Sequence, residues 1–187
     1  MQILAVSGSL RSGSYNTNLL RAAIEAAPEG VEIELFDPAG IADLPLYDEE
    51  LDEGDVPESV RRLRDAWEEA DAILFATPEY NGSVPGGLKN AVDWASRPKG
   101  HAALDNKTVS VIGASTGQFG AMWAQADLRK ILGMAGARVV GDELPVTRAN
   151  QKFDHQGRLL DAELHDLLRL AVTTLASEAV VAGRVAA

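Results

Sequence analysis

The sequence predicts an α/β protein, a doubly wound five-stranded parallel sheet with helices on both faces. Three observations carry that expectation. Short β-rich runs alternate with helical patterns along the whole chain. Several of those runs are apolar throughout, as strands buried on both faces of a parallel sheet are. The 187 residues show no internal repeat and no linker, so residues 1–187 are expected to form one domain.

The elements follow in order. Ile3 to Val6 is an apolar run closed by Gly8. Residues 15–27 read as a helix, with Leu19, Leu20, Ala23 and Ile24 on one face. Val31 to Phe36 alternates apolar and polar residues, a strand with one solvated face. Pro57 to Ala70 is a helix with proline at its first turn. Ala72 to Ala76 is a second apolar strand, bounded by Pro78. Pro85 to Ser96 is a helix, and Thr108 to Ile112 a buried strand leading into Gly113, Ala114 and Ser115. A helix over about Gly120 to Met134 stops at Gly136, and Arg138 to Val146 is the fifth strand. Leu160, Leu164, Leu167, Leu168, Ala171 and Leu175 mark the apolar face of the last helix, whose Ala-rich end after Ala176 is expected to fray. The one long connection, Asp37 to Val56, has the length of a functional or interface loop.

Composition excludes several classes of function. The absence of cysteine removes thiol nucleophiles, cysteine-held zinc, iron–sulfur clusters and disulfides together. A net charge of −11 argues against binding to nucleic acid or to an anionic membrane, both of which need basic surface. The start has no basic segment before its apolar run, and no stretch approaches the ~20 apolar residues of a membrane span. A cytoplasmic protein is expected. The charge is also local. Residues 32–71 hold 15 acids and 3 bases, whereas the rest of the chain nets +1. The acid-rich stretch from Asp43 to Asp55 reads as a solvated face or as a border of the active site.

Ligands of a doubly wound sheet bind beyond the carboxyl ends of its strands. Three loops there are unusual. The first, Ser7 to Asn16, is built of small and hydroxyl residues and opens a helix, so backbone N–H groups, the helix dipole and Arg11 can converge on one anion. It has neither the Gly-Lys-Ser/Thr ending of a P-loop nor the GxGxxG dinucleotide fingerprint. Ser14 or Asn16 is its expected helix cap. The second loop, Thr77 to Gly87, is stiffened by Pro78 and Pro85 and offers Tyr80 as a flat apolar face, which suits a planar heterocycle. Ser83 is expected to cap the helix that Pro85 opens. The third, Gly113 to Gly120, again places small residues between a buried strand and a helix.

His101, His155 and His165 are scattered, without an evident carboxylate or serine partner, and no metal-spaced cluster is present. Asp93 and Trp94 lie in a helix as structural or interface residues. An anion site and a planar-ring site without acid–base machinery point to chemistry carried by a cofactor.

These segments resemble the NADPH-dependent FMN reductase family of the flavodoxin-like superfamily, and most of all its bacterial quinone and chromate reductases. The residues that carry the resemblance are Gly8 to Asn16, Pro78 to Trp94, Gly113 to Gly117 and the Phe153-Asp154…Gly157-Arg158-Leu159…Asp161 stretch. It implies a flavodoxin-like fold and bound FMN. Ser9, Arg11, Ser14 and Asn16 would hold the phosphate, with Tyr15 beside them. Pro78, Glu79, Tyr80, Asn81 and Gly82 would line the isoalloxazine ring, largely through backbone groups. Ser115 and Gly117 would meet its other edge. No protein residue would be catalytic and no metal would bind. NAD(P)H would be the co-substrate of a ping-pong reaction, passing hydride through the flavin to small-molecule acceptors: quinones, free flavin, azo dyes or metal oxyanions. The family's habit also implies a homodimer or homotetramer. A flavodoxin-type electron carrier is the alternative, and Arg11 speaks against it because a carrier's phosphate loop would be Thr-rich and without arginine. A fold of this type without flavin, acting as an interaction module, is the third.

Overall fold

The computed structural model describes residues 1–186, with side chains described through residue 183. Strand β1 (Gln2–Ser7), helix α1 (Tyr15–Glu25) and strand β2 (Glu32–Leu35) come first. Two short helices, α2 (Ala39–Ala42) and α3 (Glu49–Glu53), lie in the long connection before α4 (Glu58–Glu69). Then follow β3 (Ala72–Ala76), α5 (Gly86–Ala95), β4 (Thr108–Ala114), α6 (Met122–Met134), β5 (Arg138–Val139), β6 (Leu144–Val146), α7 (Ala149–Lys152) and α8 (Ala162–Ala186).

The strands pair in the order β2-β1-β3-β4-β5, all parallel, and β6 also pairs with β4. The expected doubly wound, flavodoxin-like sheet is therefore present. The central strands β1, β3 and β4 are buried almost throughout, whereas β2 alternates exposed and half-buried residues at the edge. One face of the sheet packs on α1 and α8 through Leu19, Leu20, Leu164, Leu168 and Leu175. The other packs on α4, α5 and α6 through Val60, Leu63, Trp67, Leu88, Trp94, Leu128 and Leu132. Each such side chain contributes roughly 1.5–3 kcal/mol on burial.

Four expectations need correction. The fifth strand is split: β5 pairs with Thr108 and Val109, and β6 with Ile112 to Ala114. Between them Gly141 has φ 68, a conformation that takes the chain out of the ladder. The tail beyond Ala176 continues α8, and Ala176 and Ala179 join the core. The face of α8 runs through Leu164, Leu168, Val172 and Leu175, whereas Leu160 precedes the helix and Leu167 stays exposed. Finally, the acid-rich connection is not merely solvated. Pro45 O accepts from Asn90 Nδ2 and from Trp94 Nε1, both at 2.8 Å. Arg64 donates to Asp52 Oδ1 at 2.6 Å and to Trp94 O at 2.9 Å. These bonds press the connection onto α5.

Among the described residues no helix is long and apolar enough to cross a membrane.

Candidate functional site

Strand succession reverses between β1 and β3, so the crevice lies outside their carboxyl ends. Register sets the three loops side by side there. Ser7 pairs with Ala76, and Ala76 with Ile112. The ladder then runs on into the loops: Gly8 N donates to Ala76 O at 2.8 Å, Thr77 N to Ile112 O at 3.0 Å, and Ser115 N to Val146 O at 3.0 Å. Gly113 has to be glycine for the strands to close up, because a Cβ would stand 2.8 Å from Thr77 O and 2.9 Å from Gln125 Nε2.

In the first loop Ser14 caps α1, its Oγ accepting from Asn16 N at 3.2 Å and Thr17 N at 3.3 Å. Its hydroxyl hydrogen remains free to donate. Asn16 is buried, and its amide pairs twice with one backbone residue of β4: Nδ2 donates to Ala114 O at 3.0 Å and Oδ1 accepts from Ala114 N at 2.9 Å. Asn16 thereby ties the first loop to the third. Ser9 is buried, its N–H donating to Ser7 Oγ, while Arg11 is exposed with its Cζ 5.9 Å from the Tyr15 ring centroid. Tyr15 in turn stacks on Phe153 at 6.0 Å. No backbone N–H from Leu10 to Tyr15 donates to another described residue. That leaves a run of free donors at the start of a helix, beside one full positive charge.

The second loop is a hairpin. Tyr80 N donates to Ser83 O at 3.1 Å and Ser83 N to Tyr80 O at 3.2 Å. Asn81 has φ 53 and Gly82 φ 75, the Asn–Gly pair that a two-residue hairpin with left-handed centres requires. Pro78 is buried at its base and Tyr80 is exposed at its tip. Ser83 does not cap α5, whose N-cap position is Pro85 without a side-chain acceptor. Ser83 Oγ instead donates to Asp127 Oδ2 on α6 at 2.7 Å. Glu79 also turns to α6, its Oε2 accepting from Trp123 N and Ala124 N at 3.1 and 3.2 Å.

The third loop is zipped to the turn after β6: Ala149 N donates to Ser115 O and Arg148 N to Gly117 O, both at 3.0 Å. Thr116 to Phe119 keep their backbone N–H groups free and exposed. Every sequence-predicted site residue thus lies in one of three adjacent loops or, for Tyr15 and Asn16, in the first turn of α1 that the first loop opens.

Other charged groups sit elsewhere. Burial pushes the Lys107 ammonium below its usual value, against the Coulombic pull of Asp71 and Glu68, and it sits just before the start of β4, far from the loops. The Asp154 carboxyl is held below the ordinary range chiefly by the Arg158 backbone N–H, and that of Asp161 by Lys152. His101 and His155 are exposed, His165 is half-buried, and none lies in the three loops. No cluster of three metal-ligating side chains occurs among the described residues.

The NADPH-dependent FMN reductase family model matches residues 1–151. The chain belongs to that family. An NAD(P)H-dependent FMN reductase of Pseudomonas aeruginosa is 44% identical over 176 residues, covering 94% of this chain and 93% of the relative. A 2-hydroxy-1,4-benzoquinone reductase of a Burkholderia species is 35% identical over 170 residues, covering 90% and 91%. Among solved structures, the flavoenzyme NAD(P)H:(acceptor) oxidoreductase FerB of Paracoccus denitrificans superposes with a TM-score of 0.83 at 35% identity, covering 94% of this chain and 97% of that one.

The residues present fit the FMN that the family name implies. A phosphate dianion needs several donors and a cation at one point, and the first loop offers free amides, the Ser9 and Ser14 hydroxyls and Arg11. A flavin ring edge needs fixed backbone donors and acceptors, which the hairpin and the third loop hold ready. Asp127 reaches the site only through tertiary contact, with no local signal in the sequence, and Phe153, singled out above only within the family-like stretch, joins it through the Tyr15 ring.

Proposed function

We propose that this chain is an FMN-dependent NAD(P)H oxidoreductase that reduces quinone-type acceptors by a ping-pong mechanism. The supporting observation is the alignment of three loops with free backbone donors at the switch point of the sheet, in a chain of the FMN reductase family. When bound, FMN supplies the centre that accepts and returns a hydride. The chain's own residues bind and orient. Ser9, Arg11, Ser14 and the amides of Leu10 to Tyr15 hold the phosphate. Asn16 locks that cradle to β4 so that its donors keep their positions. Pro78 to Gly82 present backbone groups to the ring, and Ser115 to Gly117 do so from the other side. The free amides of the third loop and the α1 terminus stabilise the negative charge that reduction brings. No side chain acts as general acid or base. The Glu79 carboxylate is occupied by two amides, and no histidine lies in the loops. Acceptors are small planar or oxyanionic molecules, and the working unit is a homodimer or homotetramer.

The test is direct. The purified protein, supplied with FMN and freed of excess, is examined for a flavin spectrum and assayed with NADH and NADPH against a quinone panel. Catalytic turnover with alternating nicotinamide and quinone, giving parallel double-reciprocal lines, supports the proposal. A flavin spectrum with negligible turnover makes the chain an electron carrier, and failure to take up FMN refutes the reading altogether.

A further inference from the structure

Helix α6 opens without a cap of its own. Its N-cap position is Ala121, with φ 61 and no side-chain acceptor, after Gly120 with φ 57. First-turn N–H groups need acceptors from somewhere. Glu79 provides one from a distant point in the sequence, taking both Trp123 N and Ala124 N on a single carboxylate oxygen. One turn further along, Asp127 receives the Ser83 hydroxyl. The Tyr80–Ser83 hairpin is therefore pinned to α6 at both of its ends.

The pinned pieces carry exposed aromatic surface. Tyr80 is 52% exposed on the hairpin, and Phe119 and Trp123 are 53% and 47% exposed at the start of α6. The Phe119 and Trp123 rings lie 4.7 Å apart and form one ridge. Exposed aromatic side chains of this kind mark a contact surface, and their ring faces suit a flat apolar molecule.

We propose that Glu79 is a positioning residue for the electron acceptor. By capping α6 its carboxylate fixes the spacing between the Tyr80 hairpin and the Phe119–Trp123 ridge, and so favours planar multi-ring quinones over acceptors that do not stack. This inference rests on the reductase reading of the site. A carboxylate that merely stabilised a helix would change folding stability without changing the preference among acceptors.

The test compares wild type with Glu79→Ala and Glu79→Gln, all reconstituted with FMN, using a two-ring naphthoquinone and ferricyanide as acceptors. Glu79→Ala is expected to raise the ratio of the naphthoquinone KM to the ferricyanide KM about tenfold, and Glu79→Gln, which keeps an acceptor oxygen, to restore it to within about threefold. Ser83→Ala, which cuts the other tie, is expected to move the ratio in the same direction by about threefold, and it serves if Glu79→Ala fails to fold. A second readout needs no turnover. Trp67 and Trp94 are fully buried, so Trp123 is the tryptophan open to quencher. Acrylamide quenching in the FMN-free protein should rise in Glu79→Ala and not in Glu79→Gln. An unmoved KM ratio with unchanged quenching overturns the inference, as does loss of FMN binding in Glu79→Gln, which would place the side chain against the flavin. If wild type reduces neither acceptor, the reductase reading fails and the quenching result alone decides whether Glu79 sets the ridge.

Discussion

Arg11→Ala is expected to weaken FMN binding more than any other single substitution in the first loop. Arg11 is the one full positive charge there, since Leu10 and Ser12 to Asn16 are neutral. It is exposed, forms no ion pair among the described residues, and lies over the Tyr15 ring face, at 5.9 Å from the centroid. A charge-assisted bond to phosphate contributes roughly 1.5–3 kcal/mol, and solvent around Arg11 places it near the lower limit. A loss of ~1.5–2 kcal/mol corresponds to a rise of roughly 10–30-fold in Kd. Arg11→Lys should fall between, because an ammonium lacks the two-pronged fork. Flavin fluorescence quenching on titration into FMN-free protein measures Kd for all three. The affinity gap between wild type and Arg11→Ala should narrow with added salt, since an exposed charge is screened. The melting temperature of the FMN-free variant should stay near wild type, because no folded-state ion pair is lost. Equal FMN affinity in wild type and Arg11→Ala would refute the assignment of the phosphate to this loop.

Three further outcomes follow from the packing. Asn16→Ala leaves the buried N–H and C=O of Ala114 unpaired and should cost ~2–4 kcal/mol in urea unfolding; a loss under ~1 kcal/mol would show that water takes over both bonds. Trp67→Ala should cost ~3–5 kcal/mol, since the fully buried ring meets Phe75 edge-on at 5.2 Å, whereas Trp67→Phe should be much milder, because the indole N–H it removes has no partner. At acid pH, Asp154 and Asp161 lose their hydrogen bonds. Both carboxyls are held below the ordinary value of ~3.9, so their contribution is complete above that pH and disappears as pH falls from there through the native values. Melting temperatures from pH 5 down to pH 2 should fall more steeply in wild type than in Asp154→Asn/Asp161→Asn, and coincident slopes would count against the linkage.

Much of this fold was legible in the chain itself. The uninterrupted apolar run Ala72 to Ala76 and the β-rich run Thr108 to Ile112 have the composition of strands buried on both faces, and the small residues Gly113 to Gly117 announce a loop free of bulky side chains. The Ser14 cap was also visible, because capping is local. What the sequence hid is non-local. Nothing near Ser83 shows that its hydroxyl goes to Asp127 rather than to the helix beside it, and nothing near Glu79 shows a helix on another strand's loop in need of an acceptor. The split of the last strand, by contrast, has a local mark: Gly141, Asp142 and Glu143 are poor strand formers in the middle of Arg138 to Val146, and the left-handed backbone at Gly141 is where the ladder breaks.

That split has a consequence for how copies of the chain can meet. An exposed sheet edge is a template for another strand, and proteins that stay soluble blunt it. Here the two edges are blunted by different means. On one side, β5 and β6 offer only fragments of two and three residues, too short to seed a foreign strand. On the other, β2 points Glu32 and Glu34 outward, so a second β2 laid alongside would bring like charges together. Continuing the sheet from one copy to the next is thereby disfavoured at both ends. The helix and loop faces, the Phe119–Trp123 pair among them, are the surfaces left open for one copy to meet another.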